Sequence, residues 1–293
     1  MKRCGVYFFY DADGIVDRYV DYNLSCLAAH LDRLLVVCNG VLSEQGRAII
    51  EKSTTDIIVR KNEGFDAWAF KEAIDFLGWT ALKDYDELLL TNFTIMGPVY
   101  DLSEVFTAMD QQPELDFWGI TKCFDVHSEE IAKYWHVPYD YCPEHIQSSF
   151  IVYRNSLLSS PLFQDFWNNM PTIETYFDSG GKYEQFITKH LHDNGFTWGC
   201  YTNYDDMDEE FYDTCPLITM PMDVIKHRRS PYFKRRSFFT GKDNSSIAVP
   251  VKKQLMDYLK NETNYDVSMV YENLIRTCNQ RDLAESLLLM HFV

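Results

Sequence analysis

The sequence has no long hydrophobic run. Nowhere do about 18 apolar residues follow one another, so no segment reads as a membrane-spanning helix. It has no Cys-x-x-Cys pair either. The eight cysteines, Cys4, Cys26, Cys38, Cys123, Cys142, Cys200, Cys215 and Cys278, are scattered singly, which speaks for reduced, mostly buried thiols and against a disulfide or zinc framework. Positive charge is scarce: 27 Lys and Arg stand against 44 Asp and Glu, a formal charge of −17. Nucleic acid is therefore not expected as a partner, because phosphate affinity needs net positive surface. Internal repeats and low-complexity linkers are also missing. The N-terminal "MKRCGVYFFYDADG" carries a basic pair and a short apolar run, but the run ends at Asp11 with no small-residue cleavage site. It reads as a first strand rather than an export signal, and the expected location is cytoplasmic.

What is present is a large potential core. Hydrophobic residues make up 46% of 293 positions and aromatics 15%, which a chain of this length can bury. In the first half, short β-rich runs alternate with helical patterns: "GVYFFY", then "VDRYVDYNLSCLAAHL", "RLLVVCNG", "SEQGRAIIEKS", "DIIVRKN", "DAWAFKEAIDFLGW" and "DELLLTN". This order predicts an α/β fold with a mostly parallel sheet and helices on both faces. Later, "DFWGITK" and "IQSSFIVYR" read as strands. "SPLFQDFWNNM" and "GKYEQFITKHLHDNGF" read as helices, the second with a glycine stop at Gly195. A helical tail closes the chain, with residues 1–245 expected as the main domain and 246–293 as the extension. The aromatic stretches, "FWG" and "DFW" among them, are most simply core.

Ligands of such sheets bind beyond the carboxyl ends of the strands. In "RKNEGFDAW", Asn62, Gly64 and Asp66 lie between a strand and a helix, where a glycine lets backbone approach a ligand and an acid favours the helix start. Asp66 as a plain cap and Gly64 as a plain turn account for the same letters. After the fourth strand, a metal-using sugar transferase would place carboxylates for Mg²⁺ or Mn²⁺. Here stand Asn92, Phe93 and Thr94, and the next acid is Asp101. Glu184 opens a helix and suits the base of an inverting transfer, or simply decorates a helix start. In "EHIQSSF", His145 and Gln147 alternate around Ile146; a structural His is the commoner outcome there.

Against the acidic background, "IKHRRSPYFKRRSFF" gathers six Lys and Arg and one His between Lys226 and Arg236 with no carboxylate. Such a run is usually a solvated loop. Here Pro231, Phe233, Phe238 and Phe239 can pin it to the body. Pinned, it suits a diphosphate, which Arg grips bidentately and Lys as a point charge. A foot on anionic lipid headgroups is a third reading.

Taken together, "YFFYDADGIVDRYVDYNLSCL", "LLVVCNG", "RKNEGFDAWAFKEAI", "YDELLLTNFTIMGPVYDLSEVF", "DFWGITK", "HIQSSFIVYRNSLLSSPLFQDFW" and "KYEQFITKHLHDNGF" resemble, in that order, the rhamnan synthesis protein F family. These are bacterial glycosyltransferase-like proteins of cell-wall and surface polysaccharide assembly. The resemblance spans roughly Met1 to Phe239. It implies a glycosyltransferase-A type nucleotide-sugar fold. It also implies transfer of rhamnose or a related sugar from a nucleoside-diphosphate donor, with dTDP-rhamnose favoured, onto a growing or lipid-linked polysaccharide, with peripheral membrane contact at the inner face.

Carried over by position, Tyr10, Asp11, Asn62, Gly64, Asp66, Asn92 and Thr94 fall where the nucleotide sugar is held. His145 and Gln147 fall near donor or acceptor, and Glu184 at the base. His227, Arg228, Arg229, Lys234 and Arg235 belong to a segment that would hold the diphosphate. Phe93 stands where relatives carry an acid, so no metal ligand is assigned and Mg²⁺ or Mn²⁺ is in doubt. A non-catalytic module that keeps the fold is the alternative.

Overall fold

A computed structural model describes residues 1–206, 215–238 and 249–278. The first half follows the predicted alternation: β1 (Arg3–Asp11), α1 (Arg18–Ala28), β2 (Arg33–Gly40), α2 (Glu44–Ile50), β3 (Ile57–Arg60), α3 (Phe65–Leu77), α4 (Trp79–Leu82) and β4 (Glu87–Asn92). Next come β5 (Ile95–Met96), α5 (Leu102–Asp110), β6 (Phe117–Gly119), β7 (Lys122–Cys123), α6 (Glu129–Tyr134), β8 (His145–Ile146) and β9 (Phe150–Arg154). Then follow α7 (Asn155–Leu158), α8 (Pro161–Asn168), α9 (Tyr176–Ser179), a π-helical turn (Gly180–Glu184), α10 (Gln185–Asp193), β10 (Trp198–Cys200) and α11 (Pro216–Thr219). A second π turn (Asp223–His227), β11 (Phe233–Lys234), a 3-10 turn (Arg235–Phe238), α12 (Val249–Glu262) and α13 (Ser268–Thr277) complete the described chain.

Seven strands form the central sheet in the order β10-β6-β9-β4-β1-β2-β3. All run the same way except β9, which is antiparallel to both β4 and β6. This is the mostly parallel, helix-flanked sheet expected from the sequence. Strands covered on both faces read as unbroken apolar runs, and β4 is buried along its whole length. Two small ribbons, β5 with β11 and β7 with β8, sit outside it.

At the amino end of the parallel strands, Glu87 is 1% exposed and joins Arg3 (2.7 Å), Arg154 (3.3 Å) and the Trp118 indole (3.1 Å). A buried carboxylate is tolerated only with such partners. Trp118 and Trp167 are fully buried, as expected of "FWG" and "DFW".

The tail does not stand apart. Leu255, Leu259, Met269, Val270 and Leu274 belong to the same buried cluster as the sheet. Arg276 of α13 reaches back to Asp11 (2.6 Å) at the end of β1 and to Asp17 (2.7 Å) at the start of α1. The expected boundary between 245 and 246, and the tail beyond Cys278, lie outside the described residues.

Candidate active site

Register places the carboxyl ends of four strands side by side: Asp11 faces Gly40, Asn39 faces Arg60, and Phe8 faces Asn92. Buried Arg60 organises the loop beyond β3. It donates to the Asn39 side chain and the Glu63 carbonyl (both 2.7 Å) and pairs with Glu72 (2.6 Å). Gly64 (φ 71°) and Phe65 (φ 52°) then turn the backbone left-handedly into α3. Only glycine fits the first position, since a Cβ there would lie 2.3 Å from that of Trp68.

The turn delivers Asp66 to the centre of the site. Its carboxylate accepts from the Ser179 hydroxyl (2.9 Å), the Asn92 amide (3.1 Å) and the Ala67 N–H (3.0 Å). Burial, and after it the charge of Glu184, push Asp66 above the usual carboxylate range, against the hydrogen bonds from Ser179 and Asn92. It therefore joins α3, β4 and α9, which a simple helix cap would not do.

Glu184 closes the π turn immediately ahead of α10, and π turns inside helices often mark functional positions. It accepts from the Ser148 N–H (2.9 Å) and from the Ser148 hydroxyl (2.5 Å). This fixes one carboxylate oxygen, Oε2; among the described residues no hydrogen bond holds the other.

The basic stretch passes over the same edge. β11 pairs antiparallel with β5, and the Arg235 N–H donates to the Thr94 carbonyl (3.0 Å). Phe233 and Phe238 are buried, as the pinning argument expected, while Phe239 lies outside the described residues. The Arg235 guanidinium lies 5.2 Å from the centre of the Phe93 ring. Arg236 lies beside the Tyr176 phenol, and the charge of Lys234 acts on Cys123 and Cys215.

A family model described as rhamnan synthesis protein F matches residues 34–293. The chain belongs to the rhamnan synthesis protein F family. The match includes the tail, whereas the motifs read in the sequence stopped at Phe239. No curated protein matches. Among solved structures, the chain is similar to core-mannan synthase A from Aspergillus fumigatus in its Mn/GDP form, with 12% identity, 68% of this chain and 72% of that one covered, and a TM-score of 0.35. It is similar to glucosyl-3-phosphoglycerate synthase from Mycobacterium tuberculosis with Mg²⁺ and UDP, with 10% identity, 76% and 77% covered, and a TM-score of 0.40. A cytidylyltransferase from Leptospira borgpetersenii matches at 12% identity over 91% of this chain and 100% of that one, with a TM-score of 0.39. No residue role is taken from these likenesses.

The remaining positions singled out on the rhamnan synthesis protein F pattern divide into two sets. Asn92 is 3% exposed and acts beneath the surface: its oxygen accepts from the Thr94 N–H (3.1 Å) and hydroxyl (2.6 Å) while its amide holds Asp66. Tyr10 and Asn62 stay at the open edge. Asp11 is taken up by Arg276 and by the N–H groups of Ile15 and Asp13; burial opposes its ionisation, but these partners outweigh it and hold the carboxyl below its ordinary range.

The other set is turned to internal bonds. His145 and Gln147 are 6% and 5% exposed, with His145 Nδ1 donating to the Pro143 carbonyl (2.7 Å) and Gln147 bonding Thr121, Cys123 and Cys215. Arg228 pairs with Asp206 and Asp223, and Arg229 pairs with Glu104 on two bonds of 2.8 Å and covers the Tyr100 ring. His227 is exposed. The expected diphosphate grip thus divides: Arg228 and Arg229 have carboxylate partners, and only Lys234 and Arg235 reach the Thr94 edge.

The place where such a fold would hold a divalent metal does not fit one here. The single Asn92 side-chain oxygen is occupied by Thr94. The Phe93 ring packs against Phe8, Phe9 and Tyr10, with centroids 5.7, 6.0 and 6.4 Å away. Among the described residues, no group of three or more His, Cys, Asp or Glu is placed to hold a metal ion. A separate cleft of about 620 Å³ opens between Lys122, Tyr141, Glu144, Lys189, His192 and Trp198, and neither the acid pair nor the basic segment lines it.

Three partners escaped the sequence reading. Ser148 sits at a turn just past the alternating His145–Gln147 pair, where the period-two pattern stops applying. Ser179 and Tyr176 lie in a segment with no strand or long-helix signal. The neighbouring Gly-Gly was the one visible hint.

Proposed function

We propose that the chain is a glycosyltransferase that moves a sugar from a nucleoside diphosphate, rhamnose from dTDP being favoured, onto a growing or lipid-linked polysaccharide with inversion. The supporting observation is the meeting of the Asp66–Glu184 acid pair with the β11 basic segment at the carboxyl edge of the parallel strands. In this reading Glu184, fixed by Ser148, takes the proton of the acceptor hydroxyl. The hydroxyl oxygen forms the new bond to the anomeric carbon while the bond from that carbon to the diphosphate oxygen breaks. The electron pair leaves with the diphosphate, whose charge Lys234 and Arg235 balance. Tyr10 and the Asn62–Gly64 loop border the nucleotide, and Asn92 and Asp66 hold the floor. Residues 1–245 are the catalytic unit and 246–293 its extension, and the work is done on the cytoplasmic side of a membrane.

A second reading, a binding module without catalysis, is favoured by one observation: an aromatic ring, Phe93, packs where an acid is expected. Calorimetric titration with dTDP, UDP and GDP, each with Mn²⁺ and with EDTA, separates the two. The enzyme reading expects one nucleotide to bind equally well in EDTA. It also expects Arg235→Ala to weaken that binding by about 1.5–3 kcal/mol, one charge-assisted contact, with Arg228→Ala leaving it unchanged. Absence of binding under every condition would favour the module.

A further inference from the structure

Exposed aromatic rings concentrate in one place. Of the five exposed large aromatic side chains among the described residues, Tyr134 (61%), Tyr176 (51%) and Phe65 (38%) belong to one connected cluster. Phe65 meets Tyr176 at 6.4 Å between centroids, Tyr176 meets Trp135 at 5.6 Å, Trp135 meets Phe177 at 5.5 Å, and Phe177 meets Tyr134 at 4.5 Å. Singly exposed rings are ordinary, whereas exposed rings joined into one patch, here through half-buried Trp135 and Phe177, mark a binding surface. We propose that this row is the acceptor subsite, on which neutral sugar rings of the polysaccharide lay their apolar C–H faces; the assignment rests on the glycosyltransferase reading above.

The row starts at the chemistry. Phe65 directly precedes Asp66. The Tyr176 phenol is pushed up by burial first and by the charge of Glu184 next, with Arg236 opposing, so the ring bridges the base and the open surface. It is also clamped to the base-bearing turn. A Cβ on Gly181 would fall 1.8 Å from the Trp135 carbonyl oxygen, and one on Gly180 would fall 2.7 Å from the Trp135 ring. Asp178 strengthens the clamp by accepting from the Thr175 N–H (2.9 Å) and pairing with His136 (2.9 Å) and Lys182 (2.5 Å). Rings and Glu184 therefore hold a fixed spacing, which an acceptor hydroxyl needs in order to meet its base.

Charge selects the occupant. Glu130 and the Lys133-paired Glu129 open α6 beside Tyr134, and exposed Glu174 lies two residues ahead of Tyr176, while buried Asp178 is taken up by Lys182 and His136. An anionic lipid surface is attracted by basic clusters and repelled by these acids. A neutral saccharide satisfies both surfaces, offering C–H faces to the rings and hydroxyls to the carboxylates.

The test follows Trp135 fluorescence while a panel of neutral oligosaccharides, beginning with a rhamnose tetrasaccharide, is titrated into the whole protein. The expected result is a saturating change that Tyr134→Ala weakens at least tenfold, with an acceptor KM raised by a similar factor and nucleotide affinity unaltered. No fluorescence change with any saccharide would overturn the assignment. So would Tyr134→Ala and Phe177→Ala both matching the parent while Trp198→Ala, in the separate cleft, loses acceptor binding. Saccharide binding in a protein that binds no nucleotide would keep the subsite and refute transfer instead, so the two readings fail separately.

Discussion

Arg276 offers a direct quantitative check on how the tail is held to the end of β1 and the start of α1. Its guanidinium makes bonds of 2.7 and 2.8 Å to Asp17 and one of 2.6 Å to Asp11, while both acids are only 11% exposed. Arg276→Ala would leave two mostly buried carboxylates facing each other without a counter-charge. Removing one partner of a buried pair costs about 3–5 kcal/mol, and the 26% exposure of the Arg276 side chain argues for the lower end. At about 2–4 °C per kcal/mol for a chain of this size, the melting temperature at pH 7.5 should fall by roughly 6–12 °C.

The pH dependence has a definite sign. Asp11 is held below its ordinary range in the folded protein, so its contribution is present above the unfolded carboxyl value of about 4 and is lost as pH falls through the folded value. The gap between parent and variant should therefore be widest near neutrality and shrink below about pH 4. Thermal unfolding followed by circular dichroism at pH 7.5 and 3.5 would show this. A drop of less than about 2 °C at neutrality, well under one broken pair, would refute the reasoning. So would an equal gap at both pH values.

Other perturbations test other parts of the molecule. Glu87→Ala removes the buried carboxylate shared by Arg3 and Arg154 at the far end of the sheet, leaving Arg3 only Asp110 and Arg154 only backbone carbonyls, and should cost about 3 kcal/mol in denaturant titrations, with nucleotide affinity of the folded protein kept. Gly181→Ala forces the Trp135 carbonyl away and should cost about 1–3 kcal/mol while lowering turnover more than donor affinity, read from steady-state kinetics. The hydrogen bond with Cys123 lowers the Cys215 thiol, Lys234 adding to this against burial, while burial pushes Cys4 and Cys38 up to about 12. Brief alkylation at pH 7 followed by mass spectrometry should therefore find Cys215 modified well before those two.

The sheet was legible because its strands are buried on both faces. "RLLVVCNG" and "DELLLTN" have to be apolar throughout, and turn residues bracket them. Two-residue strands such as Ile95–Met96 and Phe233–Lys234 have no period to detect, so the ribbon that lays the basic segment on Thr94 was invisible. Glu184 could be singled out because an acid ahead of an amphipathic helix is a local signal, but Ser148 needed the fold to bring it near. The run from Lys226 to Arg236 looked like a single unit because its carboxylate partners, Glu104, Asp206 and Asp223, are not part of it. The left-handed backbone at Arg229 (φ 62°) and the buried residues from Ser230 to Phe233 split it in two. Tyr134 and Tyr176 were read with the other aromatics as core, since composition does not distinguish a buried ring from one kept outside for a ligand.

The ribbon that closes the site also dictates when the site can exist. Tyr232, next to Phe233, donates to Asn23 across 209 positions of chain, and Arg235 is secured to a loop that leaves the ribosome long before it. The early strands can pair once the first third of the chain has emerged, because β1, β2, β3 and β4 all lie before residue 93. The cations cannot join them until most of the protein has been made, and contacts of such long range form late and slowly. A nascent or truncated chain can thus hold the parallel strands without the basic segment laid on Thr94. On the proposed function, donor binding would be reserved for the nearly finished molecule.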